Sequence, residues 1–191
     1  SGTEANMFNV QVARVATGRP AVMGFNGCYH GGFLTFTAAT NPLNVPFETV
    51  VGTYNDVEGT RALMAKNASR IAAVIFEPML GGGGCIPATP EFLKMLREET
   101  RKHGIVMIMD EVMTSRLSSG GLQKHTGVIP DLTSLGKYIG GGLPAGAFGG
   151  KAEFLDLFDP RKAEALPHSG TYNNNVMTLA CGIAGLGKIY T

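Results

Sequence analysis

Two side chains of complementary chemistry follow apolar runs in this chain. Asp110 ends the apolar run at 105–109, and Lys137 lies in a glycine-rich segment, 134–142, just after a shorter apolar run. Continuous apolar runs are typical of buried parallel strands, and ligands of open α/β sheets bind beyond the carboxyl ends of such strands. We therefore expect an amine and a carboxylate to meet at one edge of a sheet, where Glu77, after the run at 71–76, also belongs.

An amine and a carboxylate at two ends of one site suit pyridoxal phosphate. This cofactor forms a Schiff base with a lysine, and its ring nitrogen pairs with an acidic group. Taken alone, most lysines are surface charges, and an isolated Asp after a strand more often caps a turn. The two residues together favour the functional interpretation of Lys137 and Asp110.

Three other segments have both a functional and a structural interpretation. Ser1, Gly2 and Thr3 begin a helix, where they either cap it or, through backbone N–H groups and the helix dipole, hold a phosphate. Tyr29 lies in a glycine-rich loop and either stacks on a planar ring or packs as an ordinary aromatic residue. Thr171 offers a hydroxyl and an N–H group before a helix, which suits a phosphate as well as an ordinary turn.

Composition argues against several classes of function. The chain has 16 basic and 15 acidic residues and a net charge of +1, so we expect no nucleic-acid partner and no membrane partner. The four histidines show no metal-ligand spacing, and no metal site is predicted. The three cysteines are far apart and form no C-x-x-C, which favours a reducing compartment, and the cytoplasm is expected.

The periodicity predicts an α/β fold in which a mainly parallel sheet is flanked by helices. At 191 residues the chain is long enough for one domain with a substantial core. A capping box at Ser1 and Glu4 starts the first helix, which Gly18 ends. Later helices are predicted at 57–66, 90–103, 152–158 and 175–190, and strands at 23–25, 71–76, 105–109, 132–135 and 145–149.

An ordered set of short motifs resembles the class III pyridoxal-phosphate-dependent aminotransferases over nearly the whole chain. The motifs are Ser-Gly-Thr-Glu-Ala at 1–5, Tyr-His-Gly at 29–31, Glu-Pro at 77–78, Asp-Glu-Val at 110–112, Leu-Gly-Lys at 135–137 and Gly-Gly-Gly at 140–142. Residues 110–114 are similar to the glutamate-1-semialdehyde aminomutase branch of that class. Residues 113–117 and 168–175 resemble its β-phenylalanine aminotransferases.

This resemblance implies the large domain of a fold-type I enzyme and a role for each residue around the cofactor ring. Lys137 would hold the cofactor as a Schiff base and then move the proton. Asp110 would pair with the ring nitrogen. Tyr29 would stack on the ring, and Val112 would pack against its other face.

The resemblance also implies how the phosphate is bound and how subunits assemble. Ser1, Gly2 and Thr3 would bind the phosphate of the same subunit. Thr171 would reach the phosphate held by the partner, because active sites of the family form at the interface of a homodimer. Residues 1–191 would then be an incomplete large domain, without the flanking N-terminal segment and the C-terminal small domain.

Two positions depart from the family pattern, and one arginine is open to interpretation. Many class III members have Gln where this chain has Met113, and many have Gln where it has Leu80. Contacts around the ring hydroxyl are therefore expected to differ. Arg116 is a candidate for the arginine that binds a substrate carboxylate, but a surface ion pair is the favoured interpretation.

The activity that the resemblance implies is transamination. An amino group would pass from an amino acid, with β-amino acids among the candidates, to a 2-oxo acid through Lys137. A glutamate-1-semialdehyde 2,1-aminomutase would use the same residues, so this alternative stays open. A non-catalytic protein that kept the fold is a third interpretation.

Overall fold

A computed structural model describes residues 1–36 and 41–191 of the chain. Within them, helices and strands alternate as the periodicity predicts. The helices are α1 (Gly2–Thr17), α2 (Val57–Asn67), α3 (Pro90–His103), α4 (Gly121–Thr126), α5 (Ala152–Leu155) and α6 (Val176–Lys188). The strands are β1 (Ala21–Phe25), β2 (Thr49–Gly52), β3 (Ile71–Phe76), β4 (Met79–Leu80), β5 (Ile86–Pro87), β6 (Val106–Asp110), β7 (Leu132–Gly136) and β8 (Gly146–Gly150).

Six of these strands form one sheet in the order β2-β1-β3-β6-β7-β8. The first five are parallel, and β8 pairs antiparallel with β7. The strands β1, β3 and β6 are buried along their whole length, which explains their continuous apolar sequences. The predicted mainly parallel sheet is therefore confirmed.

Helices pack against this sheet. The helix α1 packs against β3, β6, β7 and β8, whereas α3 packs against α2 and β6. The predicted start and end of α1 are confirmed, since Ser1 and Glu4 form the capping box and Gly18 adopts a left-handed conformation with φ of 65°. Gly104 ends α3 in the same way, with φ of 61°.

The structure corrects several element boundaries. The sequence analysis missed β2, the short β4–β5 hairpin and α4, because their apolar periodicity is too short to detect. The helix predicted at 152–158 ends at Leu155 and continues as a 3-10 turn, Asp156–Phe158. The last helix runs from Val176 to Lys188, with Asn175 as its N-cap.

A buried carboxylate stabilises the amino-terminal edge of the sheet. The Asp131 side chain accepts hydrogen bonds from the Arg97 guanidinium at 2.9 Å and from the Met107 N–H at 2.8 Å, and it lies 2.7 Å from Lys151 Nζ. Burial alone raises the pKa of Asp131, but these partners lower it below the usual range. This carboxylate therefore joins α3, β6 and the end of β8.

Residues 1–36 and 41–191 contain neither a membrane-spanning helix nor a metal-binding cluster. No helix there is both long and apolar enough to cross a bilayer. No cluster of three or more His, Cys, Asp or Glu side chains in that part of the chain is arranged to hold a metal ion. The cysteines Cys28, Cys85 and Cys181 are free thiols.

Candidate active site

A cavity of about 970 Å³ opens at the carboxyl edge of the sheet. It is lined by segments that follow β1, β3, β6 and β7 and by the first residues of α1. Glu77, Asp110 and Lys137 all lie on its wall. The structure therefore brings together the three charged residues that sequence analysis placed at strand ends.

Lys137 comes directly after β7, in a strained backbone conformation. It starts the 3-10 turn Lys137–Gly140 with φ of 53°, in the left-handed region that a lysine rarely adopts. Such strain costs about 1–3 kcal/mol and clusters at functional sites. Its side chain is exposed to the cavity, and Nζ forms no hydrogen bond or ion pair with any residue in the described ranges.

Asp110, at the end of β6, is 4% exposed and held by three donors. Its Oδ2 accepts a hydrogen bond from Asn6 Nδ2 at 2.7 Å and lies 2.9 Å from His30 Nδ1. Its Oδ1 accepts the Val112 N–H at 3.0 Å. The second lone pair of Oδ1 remains available to a donor in the cavity.

His30 is the cation that accompanies Asp110. The imidazole is buried, and burial alone lowers its pKa. Hydrogen bonds to Asp110 and Cys28 and their nearby charges outweigh burial and raise the pKa of His30 to about 10. His30 is therefore protonated at neutral pH, and its Nδ1–H donates to the Asp110 carboxylate.

The start of α1 also borders the cavity, which Ser1, Gly2 and Thr3 line. The N–H groups of Gly2 and Thr3 belong to the first helical turn, which has no intrahelical acceptors. Glycine residues of neighbouring segments allow the backbone to approach this turn closely. A Cβ atom on Gly146 would lie 2.0 Å from the Ser1 carbonyl oxygen, and one on Gly31, whose φ is +105°, would lie 2.4 Å from Thr3 Oγ1.

Tyr29 and Val112 line the same cavity. The Tyr29 side chain is 51% exposed, and its N–H donates to Glu77 Oε2 at 2.9 Å. Glu77 also accepts the Gly81 N–H at 3.2 Å. Burial raises the pKa of Glu77, although these two hydrogen bonds and the charge of His30 oppose the shift.

Thr171 lies outside this cavity. It is exposed, in the segment 168–175 that precedes α6, and is not among the residues that line the cavity. Nearby, the His168 ring packs edge-on against Phe8, Phe148 and Phe158. The predicted contact of Thr171 with a partner's phosphate stays a prediction.

Sequence analysis missed the parts played by Asn6 and His30. Asn6 is buried on the face of α1 that packs on the sheet, at a position where an apolar residue would be expected. A polar residue at such a position was the available signal. His30 directly follows Tyr29, but its partner Asp110 lies 80 residues away.

The two departures from the family pattern take different positions. Leu80 is buried in β4, with 3% of its surface exposed. Met113 lines the cavity. A Cβ atom added to Gly81 would lie 3.1 Å from the Met113 sulfur, so the two residues are in close contact.

Arg116 is exposed, as the sequence analysis expects of a surface residue, but its expected ion pair is not formed within residues 1–36 and 41–191. Arg116 forms no ion pair with residues 1–36 or 41–191; instead it lines the cavity, and its guanidinium lies 5.5 Å from the centre of the Tyr190 ring.

Comparison with known proteins places this site in a family. The model of the class-III aminotransferases matches residues 1–190, and the chain therefore belongs to this family. It is 51% identical over 191 residues to a beta-phenylalanine transaminase from Variovorax paradoxus, covering 100% of this chain and 44% of that one. It is 43% identical over 202 residues to a glutamate-1-semialdehyde 2,1-aminomutase from Citrifermentans bemidjiense, covering 97% and 47%.

Solved structures agree with this assignment. The crystal structure of a beta-phenylalanine aminotransferase from Variovorax paradoxus matches with a TM-score of 0.96 and 51% identity, over 100% of this chain and 44% of the other. A transaminase with PLP bound matches with a TM-score of 0.91 and 36% identity, over 99% and 48%. The predicted fold-type I architecture and the resemblance to class III are thus confirmed, and the chain spans less than half the length of these relatives.

Proposed function

We propose that this chain contributes the cofactor site of a pyridoxal-phosphate-dependent transaminase. The observation that carries the proposal is that Lys137, Asp110 and the first turn of α1 line one cavity. The relatives named as transaminases, one of them with PLP bound, support it. The substrates proposed are an amino acid, with β-amino acids included, and a 2-oxo acid.

The residues present fit the cofactor. Asp110 Oδ1 accepts one N–H, which leaves a lone pair for the ring N–H, and His30 donates to Oδ2. The N–H groups of Gly2 and Thr3, with the α1 dipole, suit a phosphate. Tyr29 would contact one face of the ring, and Val112 the other.

Each side chain then has a defined task. Bound pyridoxal phosphate supplies an electron sink for the charge that develops on the substrate carbon. Lys137 Nζ is the point of covalent attachment and, once released, the base that takes the proton from the amino-bearing carbon. Asp110, oriented by Asn6 and His30, holds the ring nitrogen protonated.

A lysine substitution tests the proposal in the full-length protein. We expect the wild type to absorb visible light, and borohydride to bleach it and label Lys137. Lys137→Ala should abolish transamination, whereas Lys66→Ala, an exposed lysine of α2, should retain it. Retained transamination in Lys137→Ala contradicts the proposal, and a protein that takes up no cofactor indicates the non-catalytic alternative.

The aminomutase is the second candidate, supported by the 43% identity to a glutamate-1-semialdehyde 2,1-aminomutase. Substrate exchange distinguishes the two. Amino transfer from a β-amino acid to a 2-oxo acid indicates the transaminase. Conversion of glutamate-1-semialdehyde with no acceptor present indicates the mutase.

We also propose that the protein is a homodimer with shared active sites, and that it works in the cytoplasm. The exposed apolar side chains of α6 and the exposed segment around Thr171 support the first proposal. Thr171 would then reach the partner's phosphate. The free thiols of the three cysteines support the second.

A further inference from the structure

Arg116 is a cation of the cavity whose charge lacks a carboxylate partner in residues 1–36 and 41–191. The other charged groups on the wall are engaged. His30 is paired with Asp110, and Glu77 accepts two backbone N–H groups. With Lys137 assigned to the cofactor, the positive charge of Arg116 remains for a ligand.

The turn that carries Arg116 is fixed by a buried carboxylate. Glu111 is fully buried, and its Oε2 accepts the Thr114 hydroxyl at 3.0 Å and the Leu122 N–H at 2.7 Å. The Glu111 carbonyl accepts the Ser115 N–H at 3.0 Å. Arg116 therefore projects from a rigid 3-10 turn, Ser115–Leu117, four residues beyond Val112.

The ring of Tyr190 contacts the Arg116 guanidinium through its aromatic face. The guanidinium carbon lies 5.5 Å from the ring centre, so the aromatic face stabilises the charge. The N–H donors of arginine lie in the guanidinium plane as a fork that matches a carboxylate. A stacked arginine can therefore still bind a carboxylate through two hydrogen bonds.

Apolar side chains share the cavity with Arg116. The Tyr138 and Tyr190 rings meet edge to face, with centroids 4.8 Å apart. Leu143 and Met113 also line the wall. A ligand that complements both Arg116 and these apolar side chains carries a carboxylate and an apolar or aromatic group.

We propose that Arg116 determines substrate specificity by binding the carboxylate of the amino-acid substrate, with Met113, Tyr138 and Leu143 around its apolar group. This inference rests on the proposed transaminase function. It adds to that function the residue that distinguishes amino-acid substrates from amines.

Two substrates that differ only in the carboxylate test the proposal in the full-length, cofactor-loaded protein. They are 3-amino-3-phenylpropanoate and 1-phenylethylamine. In Arg116→Gln we expect kcat/KM for the acid to fall by about 10- to 100-fold, mainly through KM, because one charged hydrogen-bonded pair is lost. Activity toward the amine should stay within about twofold, since no carboxylate contact is lost.

The matched control is Arg161→Gln, an exposed arginine beyond α5, which should leave both substrates unchanged. Tyr190→Leu, which removes the aromatic face, should lower kcat/KM for the acid by about two- to fivefold. The proposal is overturned if Arg116→Gln lowers kcat/KM equally for the acid and the amine, or if it leaves kcat/KM for the acid unchanged.

A binding measurement separates this proposal from the transaminase assignment. 3-Phenylpropanoate has the carboxylate and the ring but no amino group, so its calorimetric dissociation constant does not depend on turnover. We expect Arg116→Gln to weaken its binding about 10-fold or more. If the wild type transaminates neither substrate, the function fails, yet this comparison still decides the role of Arg116; equal affinities, or no binding to the wild type, overturn it.

Discussion

Asp110 is oriented by donors that belong to two other elements. Asn6 of α1 and His30 of the loop after β1 both contact Oδ2, whereas Oδ1 accepts only the Val112 N–H. Without these two donors, only the Val112 N–H would hold the carboxylate. At the residue scale, the orientation of the Asp110 carboxylate is therefore set by neighbouring residues.

Removing one of these donors should weaken cofactor binding. We expect His30→Gln to raise the dissociation constant of pyridoxal phosphate by roughly 10- to 100-fold, because a hydrogen bond between charged groups is lost. Titration of the full-length apoprotein, followed by absorbance, measures it. His125→Gln, an exposed histidine of α4, is the control, and equal affinity in the two variants would show that His30 does not act through Asp110.

The raised pKa of His30 predicts a pH dependence of stability. The folded-state value of about 10 lies above the ordinary 6.5, so the stabilising contribution is fully present below pH 6.5 and is lost as the pH rises through 10. The difference in free energy of unfolding between wild type and His30→Gln should therefore shrink from pH 6 to pH 10. Urea unfolding of the apoprotein at several pH values measures it; a difference that grows with pH contradicts the assignment.

At the scale of elements, the start of α1 is held by close contacts with strand β8. Ser1 lies against Gly146, so closely that a single methyl group would displace it. The first turn of α1 and the ends of β6 and β7 thereby form one rigid frame around the cavity. Small residues at the contact make this spacing possible.

A methyl group at that contact should disturb phosphate binding. We expect Gly146→Ala to push the start of α1 away and to raise the dissociation constant of pyridoxal phosphate by roughly 5- to 150-fold, the range of an overpacking penalty. Gly149→Ala in the same strand is the control, because its Cβ atom would meet nothing within 4 Å. The same titration measures the dissociation constant of pyridoxal phosphate for both variants. Equal values would show that the contact between Gly146 and Ser1 does not position the phosphate site.

At the scale of the whole molecule, α6 leaves apolar side chains exposed. Val176, Met177 and Ile183 are each at least 67% exposed, on a helix that otherwise contacts the turn after Lys137. Exposed apolar side chains grouped on one helix suit an interaction surface. The proposed homodimer would cover it and would bring the segment around Thr171 toward a second cavity.

A charge on this face should weaken the dimer. We expect Ile183→Glu to shift the full-length protein from dimer to monomer, because the carboxylate would be buried without a partner. Ile129→Glu, an isoleucine 57% exposed at the opposite edge of the sheet, should leave the dimer intact. Sedimentation velocity measures both, and a dimeric Ile183→Glu variant at low concentration would place the interface elsewhere.

The sequence by itself determined what local chemistry encodes. The apolar run before Asp110 predicted a buried strand, the Ser1 and Glu4 pair predicted a helix start, and strand ends placed Lys137 and Asp110 at one edge. Short elements such as β2 and α4 were missed, since four to six residues carry too little periodicity.

Only the tertiary structure decided which side chains meet. Asn6 and Asp110 are 104 residues apart, and His30 and Asp110 are 80 apart, so no spacing in the chain indicates either contact. Arg116 reads as a surface charge until the fold places it beside Tyr190 on the cavity wall. The physical reason is that periodicity reports the face a residue takes on its own element, whereas the partners on that face are supplied by packing between elements.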